Sequence, residues 1–177
     1  FAKAHLLPAE DILDIRSTKG DGVSIAVPRL NRIANFDDLD PLAAEPGIDL
    51  QIVEPGHPLP ANASLVIIPG SKSTISDLNA FRENGWDVDL KGHIRRGGHV
   101  LGICGGYQML GKEIADPQGV EGKPETVEGL GLLDVMTTMS AEKKVGPTSA
   151  VHIQTATALD GYEIHIGTTN GPDCDRA

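Results

Sequence analysis

Cysteine is almost missing from this chain: 177 residues contain two, Cys104 and Cys174. So wide a separation makes neither a disulfide framework nor a metal-ligand pair, and it implies a reducing, cytoplasmic setting. Basic residues are also scarce, 15 Lys and Arg against 25 Asp and Glu, for a net charge of −10. That balance argues against a nucleic-acid partner, whose phosphates demand clustered cations. The pair Arg95-Arg96 ends a predicted helix and complements its dipole. No apolar run reaches the length of a membrane span, and the N-terminus has no signal-peptide core, so no membrane partner is expected. Internal repeats and low-complexity tracts are lacking too. The chain starts at Phe1 without a methionine and stops abruptly at Asp173-Cys174-Asp175-Arg176-Ala177, which reads as a piece of something longer.

What is present centres on residues 100–111, Val-Leu-Gly-Ile-Cys-Gly-Gly-Tyr-Gln-Met-Leu-Gly. A short apolar strand runs into one cysteine and then into a helix with almost no turn. Such a corner strains its central residue and needs glycines around it, because neighbouring Cβ atoms would clash. Cys104 is then raised at the sheet edge, at the start of the next helix, where unpaired N–H groups favour a thiolate and await an oxyanion. A small buried core cysteine is the alternative. The glycines at 102, 105 and 106 favour the nucleophile, since packing alone does not require them.

The remaining pattern gives the fold class. Residues 1–22, with Pro8, Gly20 and Gly22, read as a linker or the tail of a preceding unit, and 23–177 as one domain. Strands are predicted at 23–27, closed by Pro28, at 48–53, at 64–68 and at 99–103. Helices are predicted at 36–44 behind an Asn35 cap, at 73–82 behind a Ser or Thr cap, at 86–96 and at 105–112. The segment 64–68, apolar without alternation, suits a central strand covered on both faces. Strands alternating with helices make an α/β fold, an open, mostly parallel sheet with helices on both faces and function at the strands' carboxyl ends. A surface loop is expected at 116–127. Shorter strands at 130–139, 150–155 and 161–166 are expected to lie antiparallel at one side of the sheet.

Gly70-Ser71-Lys72-Ser73 is not a phosphate loop, since Ser71 precedes the lysine and Leu65 stands where the upstream glycine belongs. Leaving the same sheet edge as Cys104, this loop is placed either to complete an oxyanion hole, with N–H groups of Gly70 and Ser71 joining that of Gly105, or to serve as a plain turn with a helix cap. Gln108, one helical turn beyond Cys104, faces the space above the sulfur or faces solvent. Of six histidines, His57, His93 and His99 read as structural or solvated. His165 is the best-placed base, or else a residue shaping the pocket rim. Cys174 reads as an ordinary exposed thiol.

These residues carry a resemblance. Gly102-Ile103-Cys104-Gly105-Gly106-Tyr107-Gln108 resembles the nucleophile motif of class I (triad) glutamine amidotransferases, which have a flavodoxin-like fold. Residues 28–42, 66–74 and 161–167 are similar to the glutaminase domain of the cobyric acid synthase family, and 7–11 to the end of its ATP-dependent synthetase domain. The resemblance implies that Cys104 attacks the side-chain amide of glutamine, with Gly70 and Gly105 at the oxyanion positions and Ser71 and Gln108 binding substrate. No cofactor is implied in this domain. ATP and Mg²⁺ belong to an N-terminal synthetase domain of the same chain, which would amidate corrinoid carboxylates with the ammonia released. In that family the catalytic histidine stands in a Tyr-x-His-Gly-like context, which does not occur before Ala177. His165 therefore matches the Gly-Tyr-Glu-Ile-His stretch, and the family's base is expected beyond Ala177. A glutaminase serving cobyrinic acid diamide synthesis or cell-wall lipid amidation stays open, as does a non-catalytic docking module.

Overall fold

The computed structural model describes residues 17–18, 22–35 and 37–176. The expected tail at 1–22, including its synthetase-like stretch 7–11, lies almost wholly outside them. The chain divides into two compact units at Leu110/Gly111.

The first unit is built on a four-stranded sheet in the order β2-β1-β3-β4, with β1 at Val23–Pro28, β2 at Ile48–Val53, β3 at Leu65–Ile68 and β4 at His99–Gly102. Every pairing is parallel. The order follows from composition. The inner strands are nearly continuous Val, Ile and Ala, and Ala26, Val27, Val66 and Ile68 are inaccessible to solvent, whereas the edge strands β2 and β4 are half-buried. Burial on both faces selects an unbroken apolar run; an edge tolerates polar residues.

Three helices connect these strands and a fourth follows the last: α1 at Asp40–Ala44, α2 at Thr74–Glu83, α3 at Trp86–Arg95 and α4 at Gly105–Leu110. The helix expected at 36–44 is interrupted. Asp37–Leu39 forms a 3-10 turn, and α1 begins only where Pro41, which lacks an N–H, fits a first turn. Asn35 does not cap it: the N-cap position of α1 is Leu39, and no side-chain cap bond forms there. Ser73 stands at the N-cap of α2, but no side-chain cap bond forms there; its backbone N–H donates to Ser71 Oγ at 2.9 Å. Phe81 and Trp86 meet edge to face at 5.7 Å, and the Trp86 Nε1–H reaches the His57 carbonyl at 2.8 Å. That contact stitches the proline-rich loop to the helical layer.

The second unit holds its own four-stranded sheet, β6-β5-β7-β8, with β5 at Glu113–Asp116, β6 at Glu125–Glu128, β7 at Met136–His152 and β8 at Thr157–Asn170. The α/β reading holds, but the later strands form this separate, mixed sheet rather than an antiparallel margin of the first, since β5 pairs parallel with β7 and antiparallel with β6. Part of the expected 116–127 loop is β6, and residues 130–135 are irregular rather than extended, with Gly131 at φ +69°. Parts of the strands expected at 130–139 and 150–155 merge into β7, and that expected at 161–166 lies within β8, the two strands forming one long antiparallel hairpin. Pro147 lies inside β7, opposite Tyr162, beyond Met136, Thr137 and Thr138 to which β5 pairs, and an edge stretch of this kind tolerates proline.

Candidate active site

The corner after β4 has the strain its sequence predicts. Cys104 adopts φ +48°, a conformation that L-residues with a Cβ rarely take, and it is exposed. The glycines around it are sterically required. A Cβ on Gly106 would stand 2.1 Å from the Ile68 carbonyl oxygen, and one on Gly102 2.7 Å from the Gly106 backbone. Backbone cannot retreat as a side chain can, so β4, the corner and α4 approach this closely only without side chains.

Three loops from the carboxyl ends of β1, β3 and β4 converge on this corner. The loop after β3 is bonded to the loop after β1, through the Ala34 N–H to the Gly70 carbonyl at 2.9 Å and the Lys72 N–H to the Arg32 carbonyl at 2.7 Å, with Ile33 opposite Ser71 as an isolated bridge. Gly70 lies beside the cysteine: a Cβ there would be 3.7 Å from Cys104 Cβ and 3.4 Å from Ala34 Cβ. Gly105 packs on the same loop, since its Cβ would be 3.0 Å from the Ser71 nitrogen. Among the described residues the N–H groups of Gly70, Ser71 and Gly105 have no protein acceptor. Lys72 serves this bridge through its backbone. Gln108 is buried, not solvent-facing, and its Oε1 accepts the Thr74 hydroxyl at 3.3 Å, which fixes the amide on the elbow helix.

Thus Cys104, Gly70, Ser71, Gly105 and Gln108 come together in the first unit. His165 belongs to the second. It lies within β8 opposite Lys144, with Nδ1 3.1 Å from the Gly167 carbonyl oxygen and Nε2 3.5 Å from Glu163 Oε2. Glu163 bonds Lys144 Nζ at 2.7 Å, and that hydrogen bond, ahead of the charges of Lys144 and His165, holds its carboxyl below the ordinary range. His93 is structural as expected, buried with Nε2 2.8 Å from the His99 carbonyl oxygen. Cys174 is exposed. Among the described residues no group of three or more His, Cys, Asp or Glu converges as a metal site would require, and no helix is long and apolar enough to cross a membrane.

Residues 24–177 match the CobB/CobQ-like glutamine amidotransferase domain family. The chain belongs to that family. It is 58% identical over its whole length to a cobyric acid synthase of Ruegeria sp. (strain TM1040) and 60% identical over 98% of its length to one of Rhodobacter capsulatus. A third, from Methylobacterium nodulans, is 55% identical over 99%. The chain spans only 36–37% of the length of these relatives. Among solved structures, a glutamine amidotransferase aligns over 84% of this chain and 73% of its own, with a TM-score of 0.56 and 19% identity, a likeness of fold.

Sequence reasoning missed two residues that shape this family's corner here. Thr74 orients Gln108. Asp77, wholly buried in the first turns of α2, accepts the Ser71 hydroxyl at 2.6 Å and the N–H groups of Asn31 and Arg32 at 3.1 and 3.3 Å. The available signal was an acidic residue at a position of α2 whose neighbours Ile75 and Leu78 are apolar: a carboxylate on a buried face has to be hydrogen-bonded.

Proposed function

We propose that this chain is the glutamine-hydrolysing part of a cobyric acid synthase. What carries the reading is the exposed cysteine held at φ +48°, beside the Gly70, Ser71 and Gly105 amides, which meet no acceptor among the described residues. Cys104 Sγ adds to the side-chain carbonyl carbon of glutamine, and the former carbonyl oxygen becomes an oxyanion facing the N–H groups of Gly70 and Gly105. A donor of this kind supplies about 3 kcal/mol of transition-state stabilisation. The carbon–nitrogen bond then breaks, the nitrogen takes a proton and leaves as ammonia, and a γ-glutamyl thioester remains. Water cleaves the thioester, releasing glutamate and restoring the thiol. Ser71 and Gln108 line the glutamine side of the site. This reading assigns the proton to no step of His165, whose ring atoms face the Gly167 carbonyl and Glu163.

In the complete enzyme the ammonia passes to a synthetase region that uses ATP and Mg²⁺ to activate corrinoid side-chain carboxylates. The relatives' name, cobyric acid synthase, favours this role over cobyrinic acid diamide synthesis or cell-wall lipid amidation. The test is Cys104→Ala in the complete enzyme: glutamine-dependent amidation of a corrinoid is abolished, while amidation with added ammonium salt survives. Loss of both contradicts the division of labour. A Cys104 that ignores a glutamine-analogue electrophile in the wild-type enzyme favours a non-catalytic docking module instead.

A further inference from the structure

Asp77 has no part in the chemistry above, and yet it holds together the backbone on which that chemistry depends. Three of its donors come from two different loops, Asn31 and Arg32 after β1 and Ser71 after β3. A carboxylate suits this task because two oxygens with about four lone-pair directions accept several donors at once; an amide offers a single acceptor oxygen and turns an N–H against the remaining donor. The anchor itself is firm. Asp77 lies on α2 between Ile75 and Leu78, both buried, and its own N–H bonds the Ser73 carbonyl at 2.9 Å. Ser71 Oγ relays the restraint, donating to Asp77 and accepting from the Ser73 N–H. The segment so clamped is the one that brings Gly70 beside Cys104 and the Ser71 amide against Gly105.

We propose that Asp77 is the positioning residue of this site: through Ser71 and the Asn31–Arg32 turn it holds the Gly70 amide where the oxyanion forms and the Ser71 backbone against Gly105, without touching the substrate. The role rests on the glutaminase reading above. It differs from general packing because it acts on the geometry of the N–H donors and leaves the thiol alone.

Asp77→Asn and Ser71→Ala test it, with three measurements on the intact protein. The first is hydrogen exchange at the Ala34 and Lys72 amides, whose bonds close the two loops on each other; in Asp77→Asn both exchange at least about tenfold faster, while amides of β1 do not change. The second is glutamine hydrolysis, where kcat falls by about a hundredfold and KM by less than about threefold in either direction, the signature of a contact realised in the transition state. The third is alkylation of Cys104 by iodoacetamide, a reagent with no need of an oxyanion hole, whose rate stays within about twofold. Ser71→Ala keeps the two backbone bonds to Asp77 and loses about tenfold in kcat, and the double variant is no worse than Asp77→Asn alone. Should Asp77→Asn fail to fold, Ser71→Ala carries the same three readouts. Retained protection at Ala34 and Lys72 overturns the clamp, as does an unchanged kcat, or a kcat that falls only in step with alkylation. A wild-type enzyme that leaves glutamine intact overturns the glutaminase reading instead, and the exchange measurement tells the two failures apart.

Discussion

The central strands of the first unit and the hairpin of the second keep their apolar side chains in opposite places. In the first, the central strands are sealed: Ala26, Val27, Val66 and Ile68 have no accessible surface, and neither do Leu78 and Phe81 in the helix packed there. In the second, Val145, Val151, Leu159, Tyr162 and Ile164 are all exposed. Register sorts most of them onto one side of the hairpin, because Val145 stands opposite Ile164, Pro147 opposite Tyr162 and Val151 opposite Ala158, and directly opposed residues share a face. The other side carries Lys144 opposite His165 and Gly146 opposite Glu163. A two-stranded ribbon of this kind draws stability from its ladder and cross-strand pairs, whereas the first unit draws it from a close-packed interior. Close packing over-determines Cys104 at its positive φ, a local strain of about 1–3 kcal/mol, whereas the second unit's Ala156, at φ +54°, takes the same region in the turn between β7 and β8.

Truncating a side chain in each unit probes the comparison most severely. Phe81→Ala empties a fully buried aromatic site and should cost about 3–5 kcal/mol in chemical denaturation, while Val151→Ala, 60% exposed, should stay within about 0.5 kcal/mol. Equal costs would mean that the hairpin is packed as tightly as the core. Glycines give a second contrast of smaller size. Gly106→Ala puts a methyl 2.1 Å from the Ile68 carbonyl oxygen and should cost about 3 kcal/mol through forced backbone movement. Gly161→Ala meets nothing within 4 Å and should be neutral or stabilise by about 0.5 kcal/mol, because alanine loses less chain entropy in a strand. Denaturant midpoints of the two variants check this directly.

The same contrast explains what was legible in the sequence. The first unit could be read because burial writes itself into composition: the apolar run at 64–68, the strand closed by Pro28 and the glycines flanking Cys104 each have one physical cause, and each is found where expected. Even the elbow was legible, since a strained corner needs specific small residues. The second unit resisted because an exposed hairpin constrains its side chains weakly, and the Gly146-Pro147 pair that usually punctuates a strand lies here on an edge stretch beyond the residues to which β5 pairs. Within the site, Asp77 and Thr74 were invisible for another reason. Their partners, Asn31, Arg32, Ser71 and Gln108, are brought near by loop crossings that no local pattern encodes. Asn35 shows the converse error, a good cap by type that stands ahead of the Asp37–Leu39 3-10 turn and not at the start of α1.

A subtler comparison concerns the strained residue itself. Cys104→Ala keeps a Cβ at φ +48°, whereas Cys104→Gly removes it. Relief of left-handed strain, about 1–2 kcal/mol, is partly offset by the greater freedom of glycine in the unfolded chain, about 0.5–1 kcal/mol. The glycine variant should therefore be more stable than the alanine variant by up to about 1 kcal/mol, although neither hydrolyses glutamine. Equal denaturation midpoints would mean that the corner carries no strain to release.

The smallest effect separates the units by the sign of their response to acid. Asp38, in the first unit, has its carboxyl raised above the ordinary 3.8, first by burial and then by the neighbouring charge of Asp37, with the Asn35 hydrogen bond opposing. Glu163, in the second, is lowered below 4.5, chiefly by the Lys144 hydrogen bond. A raised carboxyl binds its proton more tightly in the folded state, so Asp38 favours folding at low pH and this contribution fades as pH rises from about 3.8 through the raised folded value. For Glu163 the sign is reversed: its contribution is present above 4.5 and is lost as pH falls through the depressed folded value. Carboxyl titrations followed by NMR should show the two midpoints displaced in opposite directions. Lys144→Gln should return Glu163 toward its ordinary value, because the main cause is removed. Asp37→Asn should move Asp38 down only part of the way, because burial, its larger cause, is untouched. A full return of Asp38 in that variant would make charge, and not desolvation, the source of the shift, and the first unit's acid response would then depend on surface electrostatics just as the hairpin's does.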